Sequence, residues 1–258
     1  MTTSRLEQAM PWLIVAGLFG AWQLGCAAFA VPEFILPQPS RILAELIAMR
    51  EPVWHHAQYT LAATVIGFAL SVAFGVLLGI VVGYSRLMYR GLYPVLIGFN
   101  SIPKVAIIPV LVIWFGIGTV PATLTAFLMS FFPIAVNVAT GLATVEPELE
   151  DVLRSLGAKH RDLIFKVGLP RAQPYFFASL KIAITLAFVG SIISESIASN
   201  EGIGTLMVQA SGSFRIPLVF AGLLVTAVMG VGMYAAFALV EHRMTGWATR
   251  RTNATNGH

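Results

Sequence analysis

Residues 146–171, EPELEDVLRSLGAKHRDLIFKVGLPR, form a polar island in an otherwise apolar chain. The island holds 10 of the protein's 28 charged residues, five acidic and five basic. Apolar runs long enough to cross a bilayer lie on both sides. A charged segment between two such runs must sit in water at one membrane face. This reading makes the chain a polytopic membrane protein built from helices.

The island has its own order. Pro147 stands near a helix start, where its missing N–H costs nothing. Glu146, Glu148, Glu150 and Asp151 crowd the first turn, where negative charge meets the positive end of the helix dipole. Leu149, Val152, Leu153 and Leu156 recur at i, i+3, i+4, i+7 and make one apolar stripe. Gly157 is placed to end that helix with φ > 0. A second short helix is predicted from about Lys159 to Val167, with Leu163, Ile164 and Val167 on one side, and Leu169-Pro170 is expected to stop it. Two helices around a glycine would leave an apolar face exposed at the membrane surface, and such a face needs a partner.

Composition sets the same bounds. The 258 residues are 57% hydrophobic and 11% charged, with mean hydropathy +0.81, whereas soluble chains carry about 25% charged residues. The net charge of +4 therefore says little about nucleic acid, and no nucleic-acid partner is expected. The single Cys26 lies in the first apolar run, which leaves no disulfide framework or cysteine metal site. That first run is read as a retained span rather than a signal peptide.

Six spans follow in order. The first runs from Pro11 to about Ala30, near the roughly 20 residues a bilayer core requires, with Gln23 expected to bond a neighbouring helix. Val31 to His56 is a water-facing segment broken by Pro32, Pro37 and Pro39, in which Ser40 is expected to cap a short interfacial helix. Residues 57–84 form the second span. There Gly67, Ser71, Gly75, Gly79 and Gly83 recur every four residues and would let another helix approach closely. The third span, about Leu92 to Phe115, is interrupted at 100–104 and at Pro109; the fourth runs from about Ala122 to Thr144. The fifth spans Tyr175 to about Ala198. Ser199 to Ile216 returns as a polar segment with a short interfacial piece. The sixth runs from Pro217 to about Val240 and is followed by a polar, disordered tail.

Placing both termini and the island inside puts eleven Lys and Arg in the cytoplasm: Arg5, Arg86, Arg90, Arg154, Lys159, Arg161, Lys166, Arg171, Arg243, Arg250 and Arg251. Only Arg41, Arg50 and Arg215 fall outside. That asymmetry fixes the expected topology.

Several segments resemble the permeases of nitrate/sulfonate/taurine-type ABC importers. The island resembles their "EAA" loop, which reads EAA, three residues, Gly, nine residues, Ile-x-Leu-Pro. Here Asp151-Val152-Leu153 is followed at those spacings by Gly157 and by Val167-Gly168-Leu169-Pro170. The Gly and Leu-Pro match in place; Asp for Glu, Val-Leu for Ala-Ala and Val for Ile are departures. LPQPSRIL, SIPKVAIIPVLVIWFGIG and ISESIASNEGIGTLM resemble further family segments, so the likeness covers about residues 10 to 245. It implies an all-α, type I importer fold in which 1–258 is one permease domain: membrane core 10–245, coupling loop 146–171 and tail 246–258. It also implies a multi-pass protein of the bacterial inner membrane with both termini cytoplasmic. The implied partners are a second copy of this chain, two cytoplasmic ABC ATPases, an extracytoplasmic solute-binding protein and membrane lipid. ATP and Mg would bind on the ATPases, with no cofactor on this chain. The coupling residues would be Glu150, Asp151, Leu153, Leu156, Gly157, Ala158, Leu163, Leu169 and Pro170.

No catalytic or metal-binding constellation is evident, and no Walker A pattern occurs. The polar residues within the spans are candidates for a translocation pathway: Asn100, Lys104, Ser130, Asn137, Ser191, Ser194 and Glu195. Glu195 can line a path or hold a loop through backbone N–H groups. Lys104 can attract an anion or pair with another subunit. The expected function is transport of a small polar or anionic organic solute. The alternative is a secondary carrier or channel driven by an ion gradient.

Overall fold

A residue without a side chain lets two helix backbones meet, and the glycines at 67, 75, 79 and 83 do this in the computed structural model, which describes residues 5–143, 152–153, 155–159 and 162–255. The elements are α1 (Arg5–Ala28), α2 (Pro39–Ala48), α3 (Arg50–Gly83), α4 (Arg86–Asn100), a 3-10 turn (Lys104–Ile107), α5 (Ile108–Phe115) and α6 (Thr119–Ala143). A π-helical turn (Leu163–Gly168) then leads into α7 (Leu169–Ala198), followed by α8 (Ile203–Gly212) and α9 (Ile216–Thr255). Among the described residues, five helices are long and apolar enough to cross a membrane. The bent pair Arg86–Asn100 and Lys104–Phe115 makes a sixth candidate, with an angle of 73° at the break.

The glycine contacts decide whether that bent pair crosses or turns back. A Cβ on Gly67, Gly75, Gly79 or Gly83 would meet Ala126, Ile134, Val138 or Leu142 respectively, at 2.6–2.9 Å from the Cβ carbons. Each partner lies 59 positions further along the chain (67 with 126, 79 with 138), so α3 and α6 run in the same direction. Two consecutive crossings cannot be parallel. A full crossing must therefore lie between them, and α4 with α5 supplies it.

The remaining pairs are antiparallel. Gly141 meets Ala172 and Gly190 meets Met129, which sets α7 against α6. Gly230 meets Phe188, and Lys181 bonds Glu241, which sets α9 against α7. Trp22 of α1 packs on Phe220 at the start of α9, with ring centroids 5.9 Å apart. Both ends of the described chain therefore lie at one end of the bundle, with the start of α4 and the segment joining α6 to α7. The short helices α2 and α8 lie at the opposite end.

Three cores follow from this arrangement among the described residues, the smallest joining Val82, Leu96 and Ala139 of α3, α4 and α6. Phe68, Ile134, Val138, Leu180 and Ile184 join α3, α6 and α7 in the middle of the bundle. Ile42, Val53, Ile203, Leu206 and Leu218 join α2, α3, α8 and α9 at the far end. Within lipid such contacts gain little from the hydrophobic effect, so close packing of small residues and internal hydrogen bonds carry the association.

The structure departs from sequence expectation in five places. The helix α2 starts at Pro39 after Gln38, and Ser40 is not its cap; the Ser40 N–H instead donates to Gln23 Oε1 at 3.1 Å. Pro39 suits the first turn because that position needs no N–H donor. The helix α3 begins at Arg50 rather than 57, so His55 and His56 are helical. The helix α1 begins at Arg5 and contains Pro11. Leu169-Pro170 does not end the loop helix: the π-helical turn feeds directly into α7, and Pro170 occupies a first-turn position where it is tolerated. The helix α9 continues through the polar tail to Thr255, with Glu241 tied to Lys181.

Candidate functional site

At the end where the described chain begins and ends, Gly157 has φ +85. The Ala158 N–H donates to the Leu153 carbonyl at 3.0 Å, the bond that closes a Schellman-type helix end around a left-handed glycine. The next turn is tied by Asp162, whose Oδ2 accepts the Lys159 N–H at 3.1 Å and whose Oδ1 pairs with Lys166 at 2.7 Å. Those two bonds hold the Asp162 carboxyl below its ordinary pKa, the Lys166 hydrogen bond most of all and then the Lys159 N–H. Leu153, Leu156, Gly157, Ala158, Asp162, Leu163, Lys166 and Val167 line a cleft of about 230 Å³. Val152 and Leu156 are exposed beside it, Leu156 at 77%, while Leu163 is buried. Leu169 is half-buried and Pro170 exposed at the start of α7. Glu150 and Asp151 lie outside the described residues.

The opposite end holds a buried polar clasp. Glu195 of α7 is 3% exposed. Its Oε2 accepts from Thr60 Oγ1 at 2.8 Å and from the Gly204 N–H at 3.1 Å. Thr60 Oγ1 in turn accepts the Ile203 N–H at 2.9 Å, and His56 Nδ1 accepts the Gly202 N–H at 3.0 Å. Three successive amides at the start of α8 thus end on three side chains, two from α3 and one from α7. Thr205 Oγ1 also contacts the Glu195 carbonyl oxygen at 3.0 Å. The motif Glu195…Gly202-Ile203-Gly204 has a steric reason: Gly202 has φ +103, and a Cβ on it would collide with the Glu195 carboxyl, while one on Gly204 would collide with the Ile192 carbonyl.

One turn further along α3, Thr64 and Ser191 share a hydrogen bond of 2.7 Å. Ser71 and Ser130 share one of 2.6 Å at the α3–α6 contact. Ser194 is buried, and its hydroxyl has no partner among the described residues. Asn137 donates to the Pro133 carbonyl of its own helix at 2.8 Å. At the bend, Lys104 Nζ donates to the carbonyl and to the side-chain oxygen of Asn100. A cation there meets the negative end of α4 where its last carbonyls lack helical partners.

The structure therefore divides the polar candidates. Ser191 and Glu195 join α3 to α7, Ser130 joins α3 to α6, and Asn100 pairs with Lys104 at the bend. Sequence reasoning missed their partners on α3. The signal was present, because the small-residue stripe that includes Gly67 and Ser71 extends upstream as Thr64 and Thr60 on the same face.

Residues 71–246 match the family described as "Binding-protein-dependent transport system inner membrane component". A probable ABC transporter permease protein of Haemophilus influenzae is 31% identical over 93% of this chain and 98% of its own length. The formylaminopyrimidine transport permease protein ThiX of Halalkalibacterium halodurans is 30% identical over 96% and 99%. The taurine transport system permease protein TauC of Escherichia coli is 28% identical over 90% and 87%. A structure of the MetNI methionine ABC transporter in inward-facing conformations has the same fold, with TM-score 0.64 and 21% identity over 76% of this chain and 96% of that one. The parallel α3–α6 pair, the six crossings and these end-to-end alignments agree, and the chain belongs to the family of binding-protein-dependent transport system inner membrane components, the permeases of ABC importers.

Proposed function

We propose that residues 146–171 transmit motion from a cytoplasmic ATPase to the spans, and that two copies of this chain enclose a path for a small polar or anionic organic solute. The observation that carries this reading is the exposed apolar face at Val152 and Leu156 beside a glycine-hinged turn, at the end where the described chain begins and ends. Exposed apolar side chains on a charged, water-facing segment are a docking face. The basic residues concentrated at that end support a cytoplasmic placement for it. ATP and Mg then act on two partner ATPases, and a solute-binding protein delivers solute at the α2–α8 end. Relatives named for formylaminopyrimidine, taurine, riboflavin and aliphatic sulfonate transport support the solute class.

The test is reconstitution. Leu156→Lys inserts in the membrane as the parent does but no longer retains the ATPase on purification. Full ATPase retention by that variant, or solute uptake by vesicles holding this chain without any ATPase, would overturn the reading; the second result would favour an ion-gradient carrier.

A further inference from the structure

A hydrogen bond onto an imidazole nitrogen fixes that nitrogen's protonation. His56 Nδ1 accepts the Gly202 N–H, so it carries no proton of its own, and the ring is neutral with its hydrogen on Nε2. The bond opens the series that Ile203 continues onto Thr60 and Gly204 onto Glu195. Gly202 has φ +103 against the Glu195 carboxyl, so the turn has little freedom to find another acceptor. We propose that His56 is the positioning residue of the α7–α8 turn, and that its protonation at Nδ1 releases this turn from α3.

The groups around it set the sign. On α3, the His55 ring lies edge-on with centroids 5.9 Å apart, and Tyr59 packs on His55 at 5.0 Å. In the turn, Glu201 stands 3.9 Å from His55 Nε2. From α7, Glu195 reaches the site through Thr60, which also bonds the His56 carbonyl at 3.3 Å. The helix α8 brings no titratable side chain. Arg41 and Glu45 of α2 pair with Glu33 and Arg215. A proton on Nδ1 would point one N–H at another; burial first and then the neighbouring His55 hold the ring neutral to lower pH than a free imidazole, against the smaller pull of Glu201. The clasp is therefore complete at neutral pH and through the ordinary imidazole range, and opens only as pH falls below it.

The test uses the full chain in lipid nanodiscs, whose two accessible faces make the outcome independent of membrane sidedness. Ile203, fully buried, and Asn200, exposed, are each replaced by Cys. The rate of modification by a methanethiosulfonate reagent is taken as the ratio Ile203→Cys to Asn200→Cys, which cancels the reagent's own pH dependence. The ratio rises by up to about tenfold across the roughly two pH units in which the ring takes its proton, which lie below the ordinary imidazole range, in a scan from about pH 7.5 to about 4.5. With His56→Gln, whose amide oxygen accepts an N–H at either pH, the ratio is flat. A ratio that rises equally in His56→Gln, or stays flat with His56 present, overturns the proposal. If Ile203→Cys disturbs folding, amide exchange of residues 202–206 in the chain without cysteine replacements, compared with His56→Gln at both pH values, separates the same two outcomes.

Discussion

Gly79 of α3 faces Val138 of α6 so closely that a Cβ on the glycine would stand 2.6 Å from the valine Cβ. No real pair of carbons tolerates that distance. Gly79→Val must therefore push the two helices apart along a contact that continues at Gly75 and Gly83. The expected loss is about 1–3 kcal/mol or more, the usual penalty for overpacking. Gly17→Val is the control, because nothing lies within 4 Å of that position. Thermal unfolding in detergent should separate the two clearly, and equal melting temperatures would contradict the packing described.

Gly157 poses the opposite case. A Cβ there meets nothing within 4 Å, yet φ is +85. Substitution acts through the backbone alone, at about 1–2 kcal/mol for a residue that resists the left-handed region. Gly157→Val should weaken ATPase retention and leave membrane insertion intact, while Gly157→Asn, which tolerates this conformation, should retain more of it. Identical behaviour of the two variants would show that the turn's geometry is irrelevant to docking.

Thr60 serves three partners at once: it donates to Glu195 and accepts from Ile203, with the His56 carbonyl also in reach. Thr60→Val keeps the shape and removes the hydroxyl, leaving a buried N–H without an acceptor. The expected cost is about 1–3 kcal/mol. Thr60→Ser should recover most of it. Denaturation of the purified chain measures both, and a harmless Thr60→Val would mean that the clasp contributes nothing to stability.

Asp162 gives a pH dependence at the Gly157 turn. Its carboxyl is held below the ordinary range by Lys166 and the Lys159 N–H. A lowered native value stabilises the turn at any pH above the unfolded pKa, near 4, and that contribution disappears as pH falls through the native value. The group is exposed, so the effect should be small and weakened by salt. The protection of the Lys159 amide relative to its intrinsic exchange rate should fall on acidification, and Asp162→Asn should abolish that change in protection. An unaltered profile in Asp162→Asn would assign it to another group.

The crossings were legible in the sequence because hydrocarbon admits few other structures: long apolar runs and charged interruptions mark them directly. The small-residue stripe from Gly67 announced a close helix contact, and Gly157 announced a turn through its place after Leu156. The partner of the stripe was not legible, since nothing local distinguishes α6 from α7 as the helix that meets it. Thr60 and Glu195 stand 135 positions apart; the stripe marks Thr60 as part of a contact face, but nothing near it singles out Glu195. The start of α7 was misread for a different reason: Pro170 signals a break by its own chemistry, but a π-helical turn upstream makes it a helix beginning.

Because α3 and α6 interlock over four glycines in one direction, they form a single beam that cannot slide or rotate internally without lifting side chains out of backbone hollows. Whatever displacement accompanies solute passage must then be taken up at joints outside the beam. The 73° elbow between α4 and α5, braced by Lys104 on Asn100, is one such joint, and it tethers the beam's two ends on opposite sides of the bilayer.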